Sequence, residues 1–185
     1  MARVSSKDQI KASFAKQEQG LRDYFPLMIE LIDNISSPEP ALAYCFQRIE
    51  MAQRGGLYAL LMREYRTDSA LAWGSVDRLD LTRSNFPSFY RSITGKKLPA
   101  TLHDVIAPAE KVRDDITHGR QKTGAEIHGA ILKCLDYAKA LNDAFHKHAG
   151  FRPVGPLRGV TSKRGKPLLE KKLTRLVLKG LDFPT

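Results

Sequence analysis

Apolar residues recur along most of this chain with the three- and four-residue spacing of an amphipathic α-helix. Two stretches show this spacing most clearly, residues 41–54 and residues 124–148. Their apolar positions are Leu42, Cys45, Phe46 and Ile49 in the first, and Ile127, Ile131, Cys134, Leu135, Ala138, Leu141 and Phe145 in the second. Because residues at this spacing lie on one side of a helix, both stretches are predicted to be helices with a buried face.

Glycines interrupt the pattern after the first of these helices. Gly55-Gly56 is expected to weaken or end that helix, because glycine is unfavourable in a helix interior. Helical spacing resumes over residues 57–79, with a break expected near Thr67-Asp68. Trp73 lies in this apolar run and is therefore predicted to be buried.

Residues 83–100 are predicted to be an irregular connection, because serine, asparagine, glycine and proline are frequent there. A helix that contains Pro108 is predicted over residues 101–117. Gly119 fits the end of this helix, since glycine is favoured just after a helix C-terminus. The chain has few alternating runs and no hairpin signature, so the predicted fold class is all-α.

The predicted architecture is an up-and-down bundle of five to six helices over residues 1–150, followed by a basic extension over residues 151–185. The extension begins at residues 152–156 as a linker or an extended wrap, and Pro167 is expected to open a short amphipathic helix. The apolar side of that helix is predicted to carry Leu169, Leu173, Leu176 and Val177 and to pack on the bundle or across a dimer. The opposite side is predicted to carry Lys171, Lys172, Arg175 and Lys179.

The charge balance favours a polyanionic partner. The chain has 30 lysines and arginines against 20 aspartates and glutamates, a net charge of +10. The last 34 residues hold nine basic and two acidic residues, so most of the excess lies in the extension. Nucleic acid or an anionic membrane surface would suit this charge. No apolar run is long enough to span a membrane, and the tail helix is too short for stable anchoring.

Cysteine use and the first residues of the chain favour a cytoplasmic location. Cys45 and Cys134 are far apart in sequence and form no CxxC pair, so neither a disulfide framework nor a zinc finger is predicted. Both fall on apolar helical stripes and are expected to be buried. The first 20 residues lack the apolar core of a secretory signal. No metal or cofactor is predicted.

One segment carries residues suited to cleaving RNA, the run from Arg113 to Gly119. Histidine titrates near neutral pH and can transfer a proton in either direction, and arginine stabilises charge that develops on a phosphate. On a regular helix Arg113 and His118 are offset by about 140°, so a broken turn, which Gly119 would permit, is expected to bring them together. Asp114 could hold either Arg113 or His118, and Asp115 is predicted to face solvent.

This segment resembles the Arg-x4–6-His signature of the HEPN superfamily (higher eukaryotes and prokaryotes nucleotide-binding). Members usually have Asn, Asp or His directly after the arginine, as Asp114 is here. The family fold is an all-α up-and-down bundle with the motif near a late helix, and here the motif precedes the predicted helix 124–148. The resemblance covers roughly residues 7–150 and rests on this motif together with the architecture.

The resemblance implies a metal-independent endoribonuclease, of the kind found among toxins and defence effectors. It implies that Arg113 binds and polarises the scissile phosphate, that His118 is the general base or acid, and that Asp114 orients it. It further implies a homodimer in which two motifs face each other, with an antitoxin or other regulatory protein as a further partner. The expected products carry a 2′,3′-cyclic phosphate and a 5′-hydroxyl.

The sequence departs from part of the family at Arg120. Members controlled by tyrosine modification have a tyrosine two residues after the histidine, so that form of control is not expected here. Arg120 and Lys122 are instead predicted to bind RNA beside the motif. The cations of the tail helix, Lys171, Lys172, Arg175 and Lys179, are the other predicted RNA contacts. The alternative is a non-catalytic helical module that binds nucleic acid or a protein, in which Arg113 and Asp114 form only a surface ion pair.

Overall fold

The computed structural model describes residues 6–34, 36–82, 85–157 and 167–185. Within these ranges it is all-α, which confirms the predicted fold class. The described residues form nine helices, more than the predicted five to six. They are α1 Lys7–Ala15, α2 Gln19–Tyr24, α3 Met28–Asn34, α4 Glu39–Glu64, α5 Ser69–Asp77, α6 Asn85–Thr94, α7 Ala100–Thr117, α8 Gly124–Ala149 and α9 Lys171–Gly180.

None of the helices in these ranges has the length and apolarity needed to cross a membrane. The described residues group into two compact units, each assembled from separate segments of the chain. The first unit comes from Met1–Ile49, Pro99–Ala144 and Val154–Pro156, and the second comes from Glu50–Leu98, Phe145–Pro153 and Leu157–Thr185.

The first unit is built around the apolar faces predicted for α4 and α8. Cys45 and Cys134 are both fully buried there as free thiols, as predicted. The segment that follows α8 is held by Asn142, whose side-chain amide donates to the Val154 carbonyl at 2.9 Å and accepts from the Val154 amide at 2.8 Å. These two hydrogen bonds make residue 154 part of the core. Residues 152–156 were predicted to be a linker or an extended wrap, and the structure shows the extended wrap.

Helix α4 continues through Gly55 and Gly56, so the predicted end at these glycines is wrong. Both residues are buried in the second unit. A Cβ atom on Gly56 would lie 2.8 Å from the Phe145 ring and 3.2 Å from Pro153. Gly56 therefore lets a ring and a proline approach the helix backbone closely, and this packing outweighs glycine's poor helix propensity. The helix ends at Glu64, and the break predicted near Thr67-Asp68 is confirmed.

Helix α6 lies in the stretch predicted to be irregular, so that prediction is also wrong. The Thr82 amide donates to the Asn85 side chain at 2.7 Å, and the Asn85 amide donates to the Thr82 hydroxyl at 3.3 Å. This reciprocal pair satisfies backbone groups where the helix begins. Phe86, Tyr90 and Ile93 have helical spacing and are buried. Burial of these large side chains stabilises the helix despite its polar composition.

In the second unit, the structure contradicts the predicted burial of Trp73 and one of the two packing alternatives predicted for α9. Trp73 on α5 is 47% exposed, because Ala72 and Val76 form the buried side of that helix. Helix α9 begins at Lys171 and buries Thr174 and Leu178. Leu173 and Leu176 of the predicted apolar face are exposed, so they do not pack on the bundle. Packing of this face across a dimer stays a prediction.

Candidate active site at the end of helix α7

Helix α7 ends in a regular glycine-dependent turn. The Gly119 amide donates to the Ile116 carbonyl at 2.9 Å, and the Arg120 amide donates to the Asp115 carbonyl at 2.8 Å. Gly119 has a φ of +74°. This pair of bonds around a left-handed glycine is a Schellman motif. The predicted end of α7 before Gly119 is therefore confirmed, and the turn directs the chain toward α8.

The break in the helix comes after His118 and not between His118 and Arg113. The His118 amide still donates to the Asp114 carbonyl at 3.0 Å, which is the hydrogen bond of a regular α-helix. The two side chains are therefore offset by about 140° around the α7 axis. The expectation that a broken turn brings them to the same side within one chain is wrong. Both side chains are exposed near the same helix end.

The guanidinium of Arg113 is held by two neighbours in the first unit. Its Nε and Nη2 atoms donate to Asp114 Oδ1 at 3.1 and 2.8 Å. Its Cζ lies 4.6 Å from the centre of the Phe46 ring, in cation–π contact. Of the two roles open for Asp114, the structure shows the contact with Arg113. A guanidinium has five N–H donors, so these contacts fix its position without exhausting its capacity to bind a phosphate.

Asp115 is buried at 8% exposure, so the prediction that it faces solvent is wrong. Its carboxylate accepts from Lys122 Nζ at 2.9 Å and from Arg120 Nη1 at 2.8 Å. The hydrogen bonds from Lys122 and Arg120 lower the pKa of Asp115 below its ordinary value of 3.8. Asp115 thereby ties the end of α7 to both basic residues of the connection to α8.

The same network continues into the start of α8. Lys122 Nζ also lies 3.3 Å from Glu126 Oε1. The Glu126 carboxylate accepts from the Thr123 amide at 2.8 Å, and the Glu126 amide donates to the Thr123 hydroxyl at 3.3 Å. This is a capping box. The Thr123 hydrogen bonds, followed by that from Lys122, lower the pKa of Glu126, while the bonds to Asp115 and Glu126 raise the pKa of Lys122.

The structure distributes the predicted site residues over both units. Arg113, Asp114, His118, Arg120 and Lys122 belong to the first unit, and the four α9 cations belong to the second. Arg120 has a mostly exposed side chain, whereas Lys122 is largely covered by its carboxylate partners. Three residues of this network were not among the predicted site residues: Asp115, Glu126 and Phe46. The spacing Thr123-x-x-Glu126 is a recognisable capping signature, but nothing local indicated that Asp115 would be buried or that Phe46 would meet Arg113.

Across the described ranges, no group of three or more His, Cys, Asp or Glu side chains lies close enough together to hold a metal ion. Comparison with models of protein families, with curated proteins and with solved structures finds no match.

Replacing Asp115 with asparagine should destabilise the protein at pH 7, and the destabilisation should shrink as the pH falls below about 3.9. Because the pKa of Asp115 is lowered in the folded state, its stabilising effect is present above the unfolded-state pKa of about 3.9. It is lost as the pH falls through the lower folded-state pKa. Asparagine has no such titration. Melting temperatures of both proteins between pH 3 and pH 7 would measure this difference.

Asp114→Asn is the matched control for this prediction, since Asp114 is half exposed and pairs with the exposed Arg113. An exposed ion pair contributes little to stability, so this variant should melt close to the wild type at every pH. Equal melting temperatures for Asp115→Asn and the wild type at pH 7 would contradict a stabilising role for the buried carboxylate.

Proposed function

We propose that this protein is a metal-independent endoribonuclease of the HEPN type that cleaves RNA as a homodimer. The observation that carries the proposal is the pre-positioned Arg113. Asp114 and Phe46 hold its guanidinium at an exposed helix end, and His118 is exposed at the same end. An oriented cation and an imidazole supply the two main needs of phosphodiester transfer within RNA, charge stabilisation and proton transfer.

The proposed reaction uses the substrate's own 2′-hydroxyl as the nucleophile. His118 accepts its proton while the 2′-oxygen forms a bond to the neighbouring phosphorus. Arg113 stabilises the negative charge that develops on the phosphate oxygens. The bond from phosphorus to the 5′-oxygen breaks, and that oxygen receives a proton. The products are a 2′,3′-cyclic phosphate and a 5′-hydroxyl, with no net redox change.

The offset between the two residues supports the homodimer that the family resemblance implies. One helix presents Arg113 and His118 in directions that differ by about 140°, so a single chain does not point both at one phosphate. A two-fold axis near the end of α7 would place Arg113 of each protomer beside His118 of its partner. Arg120, exposed next to the motif, would add positive charge for the RNA backbone.

The family resemblance supports a toxin or defence effector that acts in the cytoplasm under the control of an antitoxin or other regulatory protein. The buried free thiols of Cys45 and Cys134 suit a reducing compartment. A non-catalytic nucleic-acid- or protein-binding module is the second candidate. If the chain does not dimerise, the binding module is favoured, because the regular helix through His118 keeps Arg113 and His118 apart within one chain.

The test is an RNA-cleavage assay in EDTA with the wild type and the Arg113→Ala/His118→Ala variant. We expect the wild type to leave cyclic-phosphate ends and the variant to lose activity by at least about 100-fold, since a general base or acid contributes about 10²–10⁴-fold. Arg91→Ala/His103→Ala removes the same two residue types at exposed positions of α6 and α7 and should cleave normally. Absence of cleavage by folded wild type over a broad RNA panel would favour the binding module.

A further inference from the structure

Helix α9 is fixed on the second unit by a small buried face. The Thr174 hydroxyl accepts from the Asp68 amide at 2.9 Å, and Leu178 is fully buried. Just after the helix, the Phe183 ring lies 4.8 Å from the Phe89 ring, centre to centre. These contacts determine which side of α9 faces solvent.

The outward side of α9 carries large apolar side chains. Leu173 is 47% exposed and Leu176 is 59% exposed. Residues three apart are neighbours on a helix surface, so the two leucines form one continuous apolar strip. Leu168, just before the helix, is 44% exposed as well. Contiguous exposed apolar side chains are a feature of surfaces that bind another molecule.

Beside this strip lies a basic strip. Lys171, Lys172, Arg175 and Lys179 are all exposed, and the helix sequence contains no acidic residue. Lys171 and Lys172 stand in the first turn, where the helix dipole disfavours positive charge. These charges thus oppose the local stability of the helix, and such conflicts are found where a residue serves a function other than folding.

The two strips have the arrangement of a coiled-coil seam. If Leu173 is assigned to heptad position a, Leu176 falls at d, and Lys172 and Lys179 both fall at g. The a and d residues of such a seam pack against a partner helix, and the g residues form ion pairs with the partner's flanking positions. A complementary partner would present leucine-like residues along its centre and carboxylates along its edge.

We propose that the outward face of α9 binds an acidic amphipathic helix of a partner protein. A second copy of α9 is disfavoured, because α9 contains no acidic residue to pair with Lys172 and Lys179. RNA would engage the cations but leave Leu173 and Leu176 without a role. The proposal is independent of ribonuclease activity.

The test measures binding of the full-length protein to a labelled peptide by fluorescence anisotropy. The probe is a designed peptide of about three heptads with leucine at a and d and glutamate at e and g; like charges keep it from pairing with itself. One control peptide replaces the leucines with serine, and another replaces the glutamates with lysine. We expect the wild type to bind the leucine–glutamate peptide at least about tenfold more tightly than either control.

Variants of α9 show which surface of the protein binds the peptide. Leu173→Ser/Leu176→Ser should weaken binding by at least about tenfold, and Lys172→Glu/Lys179→Glu should shift the preference to the lysine peptide. All four side chains are exposed, so unchanged melting temperatures are expected and distinguish lost binding from unfolding.

Several outcomes would overturn the proposal. Equal binding of the serine–glutamate peptide would show that charge alone acts. Unchanged peptide binding by both variants would place the contact elsewhere on the protein. If the protein does not bind the peptide but is retained on vesicles of 30% phosphatidylserine in phosphatidylcholine, the face binds a membrane surface. If the protein does not bind the peptide but is retained on single-stranded RNA, and Lys172→Glu/Lys179→Glu abolishes that retention, the outward face of α9 binds RNA.

Discussion

Mixing the Arg113→Ala protein with the His118→Ala protein should restore RNA cleavage that neither variant shows alone. Each single variant is expected to lose at least about 100-fold in rate, because it removes the charge stabilisation or the proton transfer from every site. In a mixed dimer, Arg113 of one protomer and His118 of the other form one intact pair. The α-helical bond from the His118 amide to the Asp114 carbonyl is the reason for this expectation, since it keeps the two side chains apart within a chain.

The expected rescue follows from the fraction of mixed dimers and the number of intact sites in each. Equal mixing makes half of the dimers mixed, and each mixed dimer has one of its two sites intact, so activity should reach about a quarter of the wild type. The measurement is the initial cleavage rate after the subunits have been allowed to exchange. Arg113→Ala mixed with the double variant is the control and should stay inactive. If the two single variants also stay inactive together although mixed dimers form, Arg113 and His118 do not act across the dimer.

The end of α7 could be predicted from the sequence because its signal is local. Glycine is the residue best suited to the left-handed conformation that ends a helix, and Gly119 adopts it. Which residues would meet around that turn was not predictable in the same way. Asp115 and Lys122 are seven positions apart, and their ion pair depends on the direction in which the turn returns the chain.

Predictions failed where contacts between distant segments override local preference. Gly55-Gly56 has the composition of a helix end, but the packing of Phe145 and Pro153 requires a small residue at position 56 inside α4. The polar stretch around α6 contains buried positions Phe86, Tyr90 and Ile93 at helical spacing, a signal obscured by Pro87 and the serines.

The exposed side of α9 was misassigned for a related reason. The sequence offers two apolar sides, one with Leu173 and Leu176 and one with Leu178. The Asp68 amide selects the second by donating to Thr174. A buried threonine with a satisfied hydroxyl costs little, so hydrophobicity alone predicted the wrong side for packing within the chain.

Replacing Gly56 with alanine should destabilise the protein by about 1–3 kcal/mol, the usual cost of inserting a methyl group into a well-packed core. The new Cβ would lie 2.8 Å from Phe145 Cε1 and 3.0 Å from Phe145 Cζ. The ring has little room to move, because Tyr90 and Phe151 pack edge-on against it. The gain in helix propensity, about 0.5–1 kcal/mol, is too small to offset this overlap. Urea unfolding at pH 7 would measure the change.

Gly74→Ala is the matched control, because Gly74 also lies within a helix of the second unit but a Cβ there would meet nothing within 4 Å. That variant should be stabilised by about 0.5–1 kcal/mol, because alanine has the higher helix propensity and its methyl group overlaps nothing. Opposite signs for the two substitutions would show that close approach, and not a general need for glycine in helices, fixes position 56. Valine at Gly56 should be worse than alanine, because its branched carbon extends the same overlap. A Gly56→Ala protein as stable as Gly74→Ala would mean that the Phe145 ring can move away, and that α4 does not depend on this glycine.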